Sequence, residues 1–139
     1  MAVIDADGLV LGRLCTHVAK RLLKGEEIIV INAEKTIISG NKAQLLEHYR
    51  HRHERGSKMH GPHPPRTPDR LLKRSVRGML EYKKPSGRAA YKRLKVYIGV
   101  PKDLGDQKPE TIEGAKKPNL ARSISLGELS KELGWRSVS

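Results

Sequence analysis

The chain has no phenylalanine, one tryptophan and four tyrosines among 139 residues. An aromatic share of 4% argues against RNA modules that stack bases on rings carried by a sheet. Contacts to phosphate and to helical shape are then the expected mode, should a nucleic acid be bound. A single cysteine, Cys15, excludes an intrachain disulfide and fits a reducing cytoplasm. No apolar run reaches the roughly 18–20 residues that a bilayer-spanning helix requires. Met1-Ala-Val-Ile-Asp-Ala-Asp carries early acids and no basic stretch, so it does not read as a signal peptide. The middle of the chain lacks acid. Between Arg50 and Lys95 only Glu54, Asp69 and Glu81 stand against 15 Lys and Arg.

That shortage concentrates the charge. The segment Arg50–Lys95 carries a net of +12 out of +13 for the whole chain, while the other 93 residues hold 13 Lys and Arg against 12 acids. A surface so lopsided repels itself, and folding alone gives no reason for it. A polyanionic partner does. The sequence pI near 10.1 points the same way, to nucleic acid or an anionic membrane surface. The length suits one domain. An apolar fraction of 37% implies a thin core with long polar loops.

Read in order, the chain opens as strand, helix, strand. Ala2–Ile4 reads as a short strand closed by Gly8. Leu11, Leu14, Cys15, Val18, Leu22 and Leu23 then recur at helical spacing, with Arg13, His17, Lys20, Arg21 and Lys24 on the other face and Gly25 as C-cap. Ile28–Ile31 is a continuous β-branched run, as in a strand covered on both faces. The three form a βαβ unit. Ile37-Ile38 reads as a further short strand of open pairing direction. Asn41 and Gln44 resemble a capping box for a helix through Leu45, Leu46 and Tyr49.

From Arg50 to Arg66 no apolar period survives, and five of the six histidines lie in or beside this run. With Gly56, Gly61, Pro62, Pro64 and Pro65 it reads as a long loop, ordered against a partner. Thr67-Pro68-Asp69 starts a helix. Its expected buried stripe is Leu72, Val76, Met79 and Leu80. Pro85-Ser-Gly87 is read as a break, Arg88–Leu94 as a short basic helix, and Val96–Ile98 as the last strand. Residues 1–101 would form the core with its basic loop, and 102–139 an extended polar arm ending in a short helix. That helix is opened by Ser125 and Glu128 and carries Leu126, Leu129 and Leu133, with Trp135 as a docking anchor.

Three catalytic or ligand chemistries fall short. Gly8-Leu-Val-Leu-Gly12 follows a strand and opens a helix, but it is neither a dinucleotide fingerprint nor a Walker loop; a turn glycine and a close-packing glycine explain it. His48, His51, His53, His60 and His63 are numerous enough to suggest zinc, yet Arg50, Arg52 and Arg55 alternate with them and disfavour a dication. No metal or other cofactor is expected. Asp5, Asp7, Glu26, Glu27 and Glu34 lie near strand ends, where open α/β sheets place catalytic groups. Nothing pairs them with a nucleophile, and turn or cap roles suffice. Cys15 falls in the apolar stripe and reads as a core residue. The chain is not expected to be an enzyme. A protein adaptor, docking through an apolar patch near Trp135, is the remaining rival.

A basic run is usually only a solvated face. Here Arg70, Lys73, Arg74 and Arg77 share one side of a helix, continued by Lys83, Lys84, Arg88, Lys92 and Arg93. That density without compensating acid is the footprint of a nucleic-acid binder. Arginine adds a planar fork suited to phosphate and able to stack on bases.

Leu11-Gly-Arg-Leu14, Ile31-Asn-Ala-Glu-Lys35, Ser39-Gly-Asn-Lys42, Val76-Arg-Gly-Met-Leu80 and Leu94-Lys-Val-Tyr97 occur in an order and spacing similar to those of the large-subunit ribosomal protein L-thirteen family. The resemblance covers roughly Ala2 to Pro101, and the compact form resembles the archaeal branch. It implies a three-layer α/β/α fold with a mostly parallel four-stranded sheet. It also implies a non-catalytic, structural ribosomal-RNA binder that joins the large subunit early in assembly, beside other ribosomal proteins and away from any membrane. By position, Arg13, Asn41, Lys42, Arg74, Arg77 and Gly78 match family motifs and are expected near RNA or its facing turns. With the charge pattern, the expected RNA-contacting set is Arg13, Lys20, Lys42, Arg50, His51, Arg52, His53, Arg55, Lys58, His60, Arg66, Arg70, Lys73, Arg74, Arg77, Lys83, Lys84, Arg88, Lys92 and Arg93.

Overall fold

The first apolar runs build a parallel βαβ unit: β1 (Ala2–Asp5), α1 (Leu11–Leu23) and β2 (Ile28–Ile31). Ala2 pairs with Ile28 and Asp5 with Ile31. The computed structural model describes residues 2–54, 66–104, 108–116 and 122–135. A single 3₁₀ turn, Ala33–Lys35, leads into β3 (Ile37–Ser39). Then come α2 (Lys42–Glu54), α3 (Pro68–Met79), α4 (Pro85–Lys92) and β4 (Leu94–Val96). The C-terminal part supplies β5 (Ser123–Ser125) and α5 (Leu126–Glu132).

The expected four-stranded sheet is divided. β2 is central to a three-stranded parallel sheet in the order β1-β2-β4, while β3 pairs antiparallel with β5. The architecture is α/β with a mostly parallel sheet, as expected, but the strands fall into two sheets. The reason is local. Only five residues, Asn32–Thr36, separate β2 from β3, too few for a crossover, so β3 leaves the parallel ladder and takes a later partner.

Strand alternation sorts the side chains. Ile4, Ile28, Val30 and Leu94 join the main core with α1 and α3, whereas Val3, Ile29 and Ile31 form a small second cluster. In α1 the buried stripe is Leu11, Leu14, Cys15, Val18, Ala19 and Leu22; Leu23 turns outward at 57% exposure. In α3 it is Leu71, Leu72 and Val76, closed by Leu80, and Met79 is exposed at 44% rather than buried. Each fully buried aliphatic side chain contributes about 1.5–3 kcal/mol. Cys15 lies between these helices, its thiol donating to the Leu72 carbonyl at 3.9 Å.

Four further boundaries differ from expectation. α2 runs on to Glu54, so Arg50–His53 are helical rather than loop. No glycine or proline lies between Lys42 and Arg55, and Arg and Glu are good helix formers even where no apolar stripe continues. Pro85 does not break the chain but begins α4 at its first position, where its missing N–H costs nothing. β4 consequently begins at Leu94. The polar arm folds back in part. Glu110 bridges β1, its N–H donating to the Val3 carbonyl at 2.7 Å, and Ala115 is fully buried. Ser125 caps α5 as expected, accepting from the Glu128 N–H at 3.2 Å, and Leu126, Leu129 and Leu133 enter the core.

Candidate nucleic-acid interface

Helical spacing places Arg70, Lys73, Arg74 and Arg77 at i, i+3, i+4 and i+7, opposite the Leu71, Leu72 and Val76 stripe that packs toward α1. Arg70 and Arg74 are exposed, Lys73 and Arg77 half-buried. The half-buried pair rests on aromatic rings. The Arg77 guanidinium carbon is 4.1 Å from the Tyr82 ring centre, and Lys73 Nζ is 4.9 Å from the Tyr91 ring centre. The two rings meet edge to face with centres 5.5 Å apart.

Ring contacts orient a cation without neutralising it. Burial pushes the Tyr91 hydroxyl above its ordinary value, although Arg77, Arg74 and Arg70 oppose that shift. Glu81 is an acid beside them, and it pairs with Lys84 at 3.1 Å across a largely exposed contact. Such a pair is worth under about 1 kcal/mol and leaves the local field positive. Lys83 and Lys84 flank Arg74, Arg77, Gly78, Leu80, Glu81 and Tyr82 around an open groove of about 480 Å³.

The turn carrying these groups is held from within. Arg88 donates to the carbonyls of Tyr82 at 3.0 Å and Lys83 at 3.1 Å. Gly87 is pressed against the Glu81 carbonyl, with no room for a side chain. Arg93 Nη1 donates to the Leu22 carbonyl at 2.7 Å, a cation at the C-terminus of α1. Arg88 and Arg93 thus have donors engaged by the fold, while Lys92 remains exposed on α4.

The other expected contacts form separate groups. On α2, Lys42, Arg50, His51 and Arg52 are exposed. Arg50 reaches Glu132 of α5 at 3.4 Å, and Arg52 is 6.0 Å from the Tyr49 ring centre. A hollow of about 640 Å³ runs along Ala43, Gln44, Glu47, His48, Arg50 and His51. Among the described contacts none joins this group to the α3 face. His53 falls in the last turn of α2, and Arg66 is exposed just before α3. Arg55, Lys58 and His60 lie outside the described residues. On α1, Arg13 and Lys20 are exposed, with Arg13 Nη1 at 3.5 Å from the Gly114 carbonyl. Asn41 accepts from the Ala43 N–H at 2.9 Å and so caps α2, next to Lys42.

The rival chemistries resolve into structural work. Asp5 accepts from Asn32 Nδ2 and from the Asp7 N–H, both at 3.0 Å. Glu34 accepts from the Gly99 N–H at 2.9 Å, and Glu26 pairs with Arg21 at 2.8 Å. Burial pushes the Cys15 thiol up to about 12, far from a reactive thiolate. Among the described residues no His, Cys, Asp or Glu cluster could hold a metal. Gly8 has φ +75°, a turn glycine as read, but Gly12 faces open space and is not a packing residue. Sequence reasoning missed Tyr82 and Tyr91. Their aromatic character near a basic helix was the available signal, and only the α3–α4 turn brings them beneath it.

The family model described as Ribosomal protein L13 matches residues 1–103. The large ribosomal subunit protein uL13 of Methanosarcina barkeri is 54% identical over 137 residues, covering 96% of this chain and 98% of that protein. The protein of that name from Methanosphaera stadtmanae is 51% identical over 138 residues, covering 96% and 97%. That from Archaeoglobus fulgidus is 48% identical over 139 residues, covering 98% and 89%.

Proposed function

The chain belongs to the Ribosomal protein L13 family, and from that premise we propose that it is a structural constituent of the large ribosomal subunit whose α3–α4 face holds ribosomal RNA. The observation that carries this is the cation cluster Arg70, Lys73, Arg74 and Arg77, which enters no ion pair among the described residues and is backed by Tyr82 and Tyr91. Its mechanism is neutralisation of clustered phosphates by these side chains, of which Lys73 and Arg77 are held on rings in advance and so lose less freedom on binding. Lys83, Lys84 and Lys92 extend the face. Arg88 and Arg93 support it from within through their bonds to the Tyr82, Lys83 and Leu22 carbonyls.

Arg13, Lys20, Lys42, Arg50, His51, Arg52 and Arg66 form additional contacts, together with His53, Arg55, Lys58 and His60 of the histidine-rich run. The whole chain acts as one RNA-binding unit, early in assembly, within the cytoplasmic large subunit. Neighbouring subunit proteins are its second class of partner. No reaction is assigned to it. The role is architectural, as the family name of a ribosomal constituent implies.

A salt titration of binding to large-subunit RNA tests this reading. The log–log slope should amount to several units, at about 0.7–0.9 per phosphate neutralised. A slope near zero would falsify it.

A further inference from the structure

We propose that the groove beside α3 receives a single unstacked nucleotide of the RNA, its base lying against the Arg77–Tyr82 pair. This rests on the RNA-binding reading and adds a mode of recognition to it. Phosphate neutralisation needs only exposed cations, yet Arg77 is half-buried with its guanidinium 4.1 Å from the Tyr82 ring centre. A guanidinium held over a ring is restrained in a way that favours planar stacking on its other side, and base–aromatic and base–arginine stacks are sequence-tolerant. Leu80 and Tyr82 give the groove apolar wall, and Arg74, Lys83 and Lys84 ring it with charge. Gly78 leaves the floor open: a methyl group there would meet only the Arg74 guanidinium, at 3.5 Å. The groove is open to solvent, with a volume of about 480 Å³, so it can take one face of a flat group without enclosing it.

The occupant is therefore both flat and anionic, which describes a nucleotide. A fully paired helix cannot supply it, since its bases are stacked inward and its grooves expose edges and phosphates. A bulge, loop or free end can. A free mononucleotide has the same chemistry, but the flanking cations on α3 and α4 favour one carried by a longer polyanion.

The test uses the full chain with two RNA hairpins of equal length, one fully paired and one carrying a single bulged 2-aminopurine. The protein should bind the bulged hairpin about fivefold or more tightly, with quenching of the 2-aminopurine. Arg77→Lys keeps the charge but loses the plane, and Tyr82→Leu keeps apolar bulk but loses the ring. Each should lower binding of the bulged hairpin to that of the paired one, while Tyr82→Phe retains the preference. Adenosine monophosphate at equal concentration should not displace the bulged hairpin. If it does, the groove is a free-nucleotide site and the proposal is wrong. Equal, salt-dependent binding of both hairpins by the unaltered protein overturns the proposal and leaves the RNA face standing. Absence of salt-dependent binding to either hairpin removes both.

Discussion

Cys15 shows how a residue's surroundings determine its behaviour. Burial moves its thiol from an ordinary 9.0 to about 12, so between those values the folded state keeps a proton that the unfolded state has lost. Stability is then fully present below about pH 9 and falls as pH rises toward 12, by at most about 1.4 kcal/mol per pH unit. Tyr49 and Tyr91, whose hydroxyls burial also raises, add in the same sense. Urea unfolding of the protein and of Cys15→Ala, at about pH 8 and about pH 10.5, should show the flatter profile for the variant. Parallel profiles would place Cys15 in a more open setting than the one described. Two glycines make a second contrast. Gly87→Ala drives a methyl into the Glu81 carbonyl and should cost about 2 kcal/mol or more. Gly12→Ala faces open space in α1 and should be neutral or stabilise by up to about 0.5 kcal/mol. Denaturation midpoints decide both.

At the scale of elements, periodic segments were readable and solitary ones were not. α1 and β2 followed from spacing and from a β-branched run, and Ser125 marked the start of α5. β5 carries a single apolar residue, Ile124, and finds β3 from more than 80 positions away; no local pattern encodes such a pairing. The fold-back through Glu110 and Ala115 is hidden for the same reason. The basic face of α3 was legible because charge and period coincide. Its aromatic backing was not, since Tyr82 and Tyr91 meet α3 only through the turn that Arg88 and Gly87 hold. Reversal of Arg74 and Arg77 to Glu should weaken RNA binding by about tenfold or more while the protein stays folded: neither makes an ion pair among the described residues, and the lost Arg77–Tyr82 ring contact should cost only about 0.5–1 kcal/mol. Unfolding of the double variant would make the face structural. Arg93→Met should behave oppositely, losing about 1–2 kcal/mol of stability with its bond to α1. A salt slope lowered by about 0.7–0.9 in that variant would assign Arg93 to phosphate instead.

For the whole molecule, a small apolar core carries a charge that it does not itself require. α1 and α3 pack together over the β1-β2-β4 sheet and keep the basic side of α3 outward. Folding back of the C-terminal part places β5 and α5 in the same core and ties α5 to α2 through Arg50 and Glu132. Such a frame, with cations mounted on one side of it, suits an architectural RNA binder. The most direct measurement is ultraviolet crosslinking of intact large subunits, with adducts located by mass spectrometry. Nucleotide adducts should concentrate between Arg70 and Lys92. Their absence there, with the α3 face instead joined to another polypeptide or open to solvent labelling, would contradict the account.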